Sequence, residues 1–177
     1  LSHQAHLPVS PASTQKLITT ATALLVLGNN YQYQTKLQYD GHITDGVLYG
    51  HLYIKGSGDP SLGAAQMDDS LSLQHLFSEF TRAVKHAGIK EITGNIYADA
   101  SCFEEELVSP KWLWEDIGNY YGAGSCGLNV NENEYTVYFQ AGSSIGAPAQ
   151  VLAVSPEVCD MTFDNRVKTG SRTSGDQ

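Results

Sequence analysis

The sequence predicts an α+β fold, and three observations carry that expectation. An apolar run of helical character begins just after Ser13 and stops at Gly28-Asn29-Asn30. Apolar and polar residues then alternate through 31–39 and 47–54 around the turns Asp40-Gly41 and Asp45-Gly46, the mark of half-buried antiparallel strands. A second apolar series, Leu73, Leu76, Phe77, Phe80 and Val84, repeats at helical spacing up to Gly88, and strand-like segments follow it.

The first helix carries Leu17, Ile18, Ala21, Leu24, Leu25 and Leu27 with hardly a charge, so it is expected to be buried on most sides. Its end at Gly28 has the residue a helix needs to leave its last turn. The segments 31–39 and 47–54 form a hairpin or meander, and 56–70, rich in Gly, Ser, Asp and Pro, reads as a loop. After the second helix, 89–98 is a strand, 104–124 an irregular aromatic-rich crossing, and 135–139, 151–154 and 158–163 three further short strands. No internal repeat or low-complexity segment interrupts the order.

A chain of 177 residues can bury one good core or two small ones. With 41% hydrophobic and 16% charged residues it has the composition of an ordered soluble protein. The net charge of −9 and the scattered Lys and Arg offer no basic stripe, which excludes nucleic acid as a partner. No apolar run approaches the ~20 residues needed to span a bilayer, while weak association with a membrane surface stays open. Cys102, Cys126 and Cys159 allow at most one internal disulfide and match no zinc spacing. They are read as unrelated small buried residues, with one extracytoplasmic pair as the alternative. His3, His6, His42, His51, His75 and His86 show no pairing at metal-ligand spacing and are read as solvated surface, so neither a metal nor a cofactor is expected.

The segment Pro11-Ala12-Ser13-Thr14-Gln15-Lys16 carries the chemistry. Ser13 and Lys16 stand three residues apart, close to one helical turn, so their side chains project from one face. A serine hydroxyl is a poor nucleophile until a base takes its proton, and a lysine amine can do so when burial or a neighbouring cation lowers its pKa. The start of a helix also favours developing negative charge. The plain alternative is an N-cap serine with a solvated lysine one turn on.

The surrounding words decide between these readings. Residues 7–19 (Leu-Pro-Val-Ser-Pro-Ala-Ser-Thr-Gln-Lys-Leu-Ile-Thr), 27–35 (Leu-Gly-Asn-Asn-Tyr-Gln-Tyr-Gln-Thr) and 45–62, including Lys55-Gly56-Ser57-Gly58-Asp59-Pro60-Ser61, come in order with Gly94-Asn95-Ile96-Tyr97-Ala98-Asp99 and Pro110-Lys111-Trp112-Leu113-Trp114. Together they resemble the class C low-molecular-mass penicillin-binding proteins, the D-alanyl-D-alanine carboxypeptidase/endopeptidase family. The likeness spans most of 7–131 and is loose beyond about residue 140.

The resemblance implies that residues 1–35 are the N-terminal part of a β-lactamase/transpeptidase-like, penicillin-recognising catalytic domain. Residues 36–177 would then be an inserted, largely β accessory region with one or two helices. It implies an extracytoplasmic, periplasmic enzyme, whose signal peptide is not in this chain, acting on peptidoglycan peptides and acylated by β-lactam antibiotics. Asp99 and Phe103 would help to recognise the free amino-acid end of the stem peptide, a carboxylate for an ammonium and an aromatic wall for methylenes. For Asp99 the plain alternative is a turn cap with Ser101.

The superfamily also needs a Ser-x-Asn or Tyr-x-Asn and a Lys-Thr-Gly strand. Lys168-Thr169-Gly170 tempts, and its distance from Ser13 is similar to that in compact class A β-lactamases, the rival enzymatic reading. No Ser-x-Asn or Tyr-x-Asn lies between them, however, and the polar flanks Asp164-Asn165-Arg166 and Ser171-Arg172-Thr173-Ser174 do not suit an inner strand. The triplet is therefore read as a decoy. An abrupt start just before Ser13 and a polar Gly/Ser-rich stretch at 169–177 lead to the expectation of a fragment of a longer protein, inactive by itself. A non-catalytic peptidoglycan-binding module is the rival from another class. Gly58-Asp59-Pro60-Ser61 is read as a structural turn, and Trp112 and Trp114 as packing between subdomains, not a carbohydrate platform.

Overall fold

The computed structural model describes residues 6–172; His3 and residues 173–177 of the polar stretch lie outside them. The chain divides into two compact units, Leu1–Gln34 and Thr35–Gln177. Their architecture is the expected mixture of helices and sheets.

In the first unit a 3₁₀ turn, Ala12–Thr14, runs into helix α1, Gln15–Leu27. Gly28 ends the helix with φ 81°, a conformation that side chains rarely adopt, and its N–H bonds to the Leu24 carbonyl. The expectation of a mostly buried helix is not met within this chain. No residue of α1 is buried, and Leu25 and Val26 are 85% and 76% exposed. Among the described residues the first unit has no second helix or strand with which α1 could share its apolar surface.

The second unit contains β1 (Lys36–Tyr39), β2 (His42–Thr44), β3 (Val47–Tyr49), β4 (Leu52–Lys55), α2 (Leu73–His86), β5 (Glu91–Ile92), β6 (Ile96–Asp99), β7 (Thr136–Gln140) and β8 (Gln150–Ser155). Two three-stranded sheets, ordered β1-β4-β6 and β2-β3-β5, stand beside a β7-β8 hairpin. The antiparallel expectation holds for β1 with β4 and for β2 with β3. β5 and β6, for which the sequence suggested strands but no pairing, run parallel with β3 and β4, because α2 carries the chain back across the sheets before they begin.

Two expected strands are each cut in half, and at the same place. Segment 47–54 breaks at Gly50-His51, and segment 89–98 at Thr93-Gly94-Asn95. Gly94 donates its N–H to the Gly50 carbonyl at 3.1 Å, and a Cβ on Gly94 would lie 2.2 Å from that oxygen. Both chains thus pass from one sheet to the other where only glycine permits the approach. Segment 158–163, expected as a strand, holds none; the third sheet stops at β8.

Helix α2 is well specified. The Ser72 hydroxyl accepts the His75 N–H at 3.3 Å, and Lys85 and His86 occupy the last turn, where cations suit the helix dipole. Its Phe80 and Val84 face Leu37, Leu52, Ile54 and Ile96 of the first sheet around an apolar cavity of about 660 Å³. Leu48, Leu52, Leu76 and Ile89 form the buried centre. The first sheet's other face is polar and aromatic. Register places Lys36, Lys55 and Asp99 in one row and Gln38, Tyr53 and Tyr97 in the next. No helix among the described residues is long and apolar enough to cross a membrane.

Candidate active site

Ser13 lies in the 3₁₀ turn that leads into α1, and Lys16 is the second residue of the helix proper. Three residues is close to one turn, so positions 13 and 16 share a side of the helix start. Ala12, immediately before Ser13, has φ 44°, a left-handed conformation unusual for a side chain with a Cβ. The turn is held by the Thr14 N–H to the Pro11 carbonyl at 3.0 Å and by the Thr14 hydroxyl on the same oxygen. Thr19 and Thr20 bond back to the Gln15 and Lys16 carbonyls at 3.2 and 2.7 Å, which satisfies their hydroxyls on an otherwise apolar helix. No side chain caps α1 and no acidic residue lies in its first turn, and the Gln15 N–H that opens it bonds back into the 3₁₀ turn, to the Ala12 carbonyl. Both Ser13 and Lys16 are exposed in this chain.

Asp99 and Phe103 belong to the second unit. Asp99 ends β6, in register with Lys55 at the end of β4. Its two oxygens have different work. Oδ1 accepts the Ser101 N–H at 2.9 Å, the turn cap that sequence reasoning held as the plain alternative. Oδ2 faces the Lys55 ammonium at 3.5 Å. The Ser101 hydroxyl and N–H, and after them the Lys55 charge, hold the Asp99 carboxyl below the ordinary aspartate range, so it is an anion at neutral pH.

Phe103 is 47% exposed, and its ring rests on Gly58, where a Cβ would fall 2.4 Å from Cζ. Gly58 also has φ 77°, so both conformation and contact require glycine there. Backbone bonds from Gly56 N–H to the Asp99 carbonyl (2.9 Å) and from Gly58 N–H to the Gly127 carbonyl (2.8 Å) tie the loops after β4 and β6 together. Lys55 is the neighbour that the sequence reading missed. Finding it needed the parallel β4–β6 register, which no local pattern discloses.

The remaining motifs have structural employment. Lys168 makes an isolated bridge with Pro148, the Thr169 hydroxyl accepts the Gly142 N–H at 2.7 Å, and the Thr169 N–H bonds to the Ala147 carbonyl at 2.8 Å. These contacts staple a loop. Asp59 Oδ1 accepts from the Ser61 N–H and hydroxyl at 2.9 and 2.6 Å, a local turn. Other expectations need correction. Trp114 is 89% exposed and Trp112 is exposed too, so neither packs between subdomains; both lie where the chain has little regular structure to cover them. Cys102 and Cys159 are exposed, not buried, and all three thiols are free. His51 is half-buried, with Nδ1 accepting the Asn95 N–H at 2.9 Å, so it is a structural acceptor and not a merely solvated side chain. Among the described residues no group of three or more His, Cys, Asp or Glu could hold a metal ion.

Comparison with known proteins gives this geometry its setting. The family model described as "D-Ala-D-Ala carboxypeptidase 3 (S13) family" matches residues 1–177. The chain is 31% identical over 135 residues to D-alanyl-D-alanine carboxypeptidase DacB of Haemophilus influenzae, covering 76% of this chain and 26% of that protein. It is 30% identical over 176 residues to a D-alanyl-D-alanine carboxypeptidase of Actinomadura sp. strain R39, covering 93% and 29%. The crystal structure of penicillin binding protein 4 (dacB) from Haemophilus influenzae superposes with a TM-score of 0.68 at 30% identity, over 81% of this chain and 29% of that one. The same protein complexed with a novel β-lactam gives 0.54 at 27% identity, over 80% and 26%. The chain thus spans between a quarter and a third of the length of the relatives it matches.

Proposed function

The chain belongs to the D-Ala-D-Ala carboxypeptidase 3 (S13) family, and from that premise we propose that Ser13 and Lys16 are the nucleophile and base of a serine-type D-alanyl-D-alanine carboxypeptidase/endopeptidase. The observation that supports this reading is the family match over the whole chain, together with the position of Ser13 and Lys16 where a 3₁₀ turn enters an uncapped apolar helix. The activity is proposed for the full-length protein of this family that carries the chain. Residues 1–35 would open its catalytic domain, and 36–177 would be an accessory insertion.

The Ser13 Oγ attacks the carbonyl of the D-Ala-D-Ala bond while the neutral Lys16 amine takes its proton. The tetrahedral oxyanion is met by the Ser13 N–H, helped by the field of the helix start. Collapse breaks the C–N bond, the terminal D-Ala amine leaves with the proton that Lys16 returns, and the stem peptide stays as an ester on Ser13. Water, deprotonated by the same amine, then releases the acid. A D-amino-acid cross-link would be cut by the same steps, and a β-lactam would acylate Ser13 because its strained amide presents the same carbonyl. Asp99 would take the ammonium of the stem's diamino acid and Phe103 would cover its methylenes. A cell-wall peptide substrate places the enzyme outside the cytoplasm.

The test is D-Ala release from an acetylated stem tripeptide by the full-length protein. Ser13→Ala should reduce kcat about a thousandfold or more, and Lys16→Ala by about 10²–10⁴. Release within tenfold of wild type in Ser13→Ala would overturn the assignment, and no release by wild type would favour a non-catalytic peptidoglycan-binding module.

A further inference from the structure

We propose that Lys55 is an intramolecular stand-in for the ligand's ammonium at Asp99, a specificity-determining residue that a cationic ligand must displace. The proposal rests on the reading of Asp99 as the carboxylate that receives an amine.

Register supplies the geometry. Lys36, Lys55 and Asp99 lie directly across from one another on β1, β4 and β6. Side chains in register share a face of the sheet, so Lys55 has a like charge on one side and an opposite charge on the other. The row therefore pushes the Lys55 ammonium toward Asp99, where it lies 3.5 Å from Oδ2. The division of the carboxylate is what makes Lys55 a competitor. Oδ1 already accepts the Ser101 N–H, and Oδ2 is the oxygen that Lys55 faces, so a cation arriving on that side meets Lys55 first.

The pair is also built to open. The Lys55 side chain is 47% exposed and that of Asp99 29%, so the ammonium can swing into water at little desolvation cost. When it does, Asp99 keeps its orientation, because the Ser101 bonds do not depend on Lys55. Their dominance over the Lys55 charge in keeping the carboxyl ionised agrees with this. An incoming amine on a flexible methylene chain is chemically the same as the group it replaces. It exchanges one ion pair for another, and its net gain is reduced by whatever the Lys55 pair was contributing. A ligand with a neutral amide in that place does not contest Oδ2 and is untouched by the competition.

The experiment compares kcat/KM for Nα-acetyl-L-Lys-D-Ala-D-Ala with that for the Nα,Nε-diacetyl peptide, using the full-length protein. In Lys55→Met and Lys55→Gln the free-amine to acetylated ratio should rise about 1.5- to fivefold, the range expected of an exposed ion pair, with the change in KM and not in kcat. Lys55→Arg, which restores a cation at Oδ2, should return the ratio to the wild-type value or below. An unchanged or reduced ratio in both Lys55→Met and Lys55→Gln overturns the proposal, a reduced one by making Lys55 a helper. Asp99→Asn separates this failure from that of the reading beneath. If it leaves the wild-type ratio unaltered, Asp99 does not receive the amine and both ideas fall; if it abolishes the ratio while Lys55→Met does nothing, only the stand-in fails.

Discussion

The two α-helices among the described residues are of similar length and opposite design. Helix α2 has a polar side, a serine cap, Lys85 in its last turn and Leu76 buried beneath it. Helix α1 is apolar nearly all round, has no side-chain cap, and buries nothing. A helix of thirteen residues is marginal in water on propensity alone, so α2 holds its place through one face while α1 is written for surroundings on several sides. The second unit therefore carries its own core, whereas the unit that bears Ser13 and Lys16 leaves the apolar surface of its helix exposed. The proposed roles of Ser13 as nucleophile and Lys16 as base would need the low-dielectric setting that comes only when that surface is covered.

Core substitutions should separate the two units most strongly. Leu48, fully buried between the strands of the second unit, should cost about 2–5 kcal/mol when changed to Ala. In the 177-residue chain Leu25→Ala, at a position 85% exposed, should stay within about 0.5 kcal/mol. In the full-length protein the same Leu25→Ala change should rise to about 2 kcal/mol or more. Denaturant unfolding of both lengths reads all three values, and an equally small Leu25 cost in each would break the comparison.

A smaller effect concerns acid. In the second unit the His51 N–H (2.6 Å) and the Tyr53 hydroxyl (2.9 Å) bond to Asp40, and the His51 bond is the main reason its carboxyl lies below the ordinary range. A depressed folded pKa contributes stability that is complete above the unfolded value, near 3.9 for aspartate, and is lost as pH falls through the folded one. Asp68 and Asp99 act in the same sense, chiefly through Ser70 and Ser101. The second unit should thus lose stability below about pH 4, and Asp40→Asn should flatten that loss in melting curves taken from pH 6 to pH 3. An unaltered acid limb in Asp40→Asn would remove Asp40 from the account.

Much of this was legible in the sequence, for reasons that differ by region. Periodicity and end signals disclosed α1 and α2 because both are local properties of the chain. The β1–β4 turns were readable from Asp40-Gly41 and Asp45-Gly46 for the same reason. Pairing was not readable. The breaks at Gly50 and Gly94 arise because the two glycines meet across the sheets, and the left-handed run Asn131-Glu132-Asn133 (φ 54°, 57° and 59°) is held by Asn131 and Asn133 side-chain bonds to the Glu134 and Gly124 carbonyls. For the candidate site, spacing suggested Ser13 and Lys16, and only the family resemblance suggested Asp99 and Phe103. Lys55 escaped both, since it meets Asp99 through parallel pairing across an intervening helix. The expected burial of α1 and of the cysteines failed for another physical reason: composition records what a side chain prefers, not whether a partner is there to cover it.

Penicillin labelling followed by peptide mapping of the full-length protein tests the central claim most directly. The account predicts a single covalent adduct on the peptide bearing Ser13, absent from Ser13→Ala and strongly slowed in Lys16→Ala. An adduct on another residue, or undiminished labelling of Ser13→Ala, would contradict it.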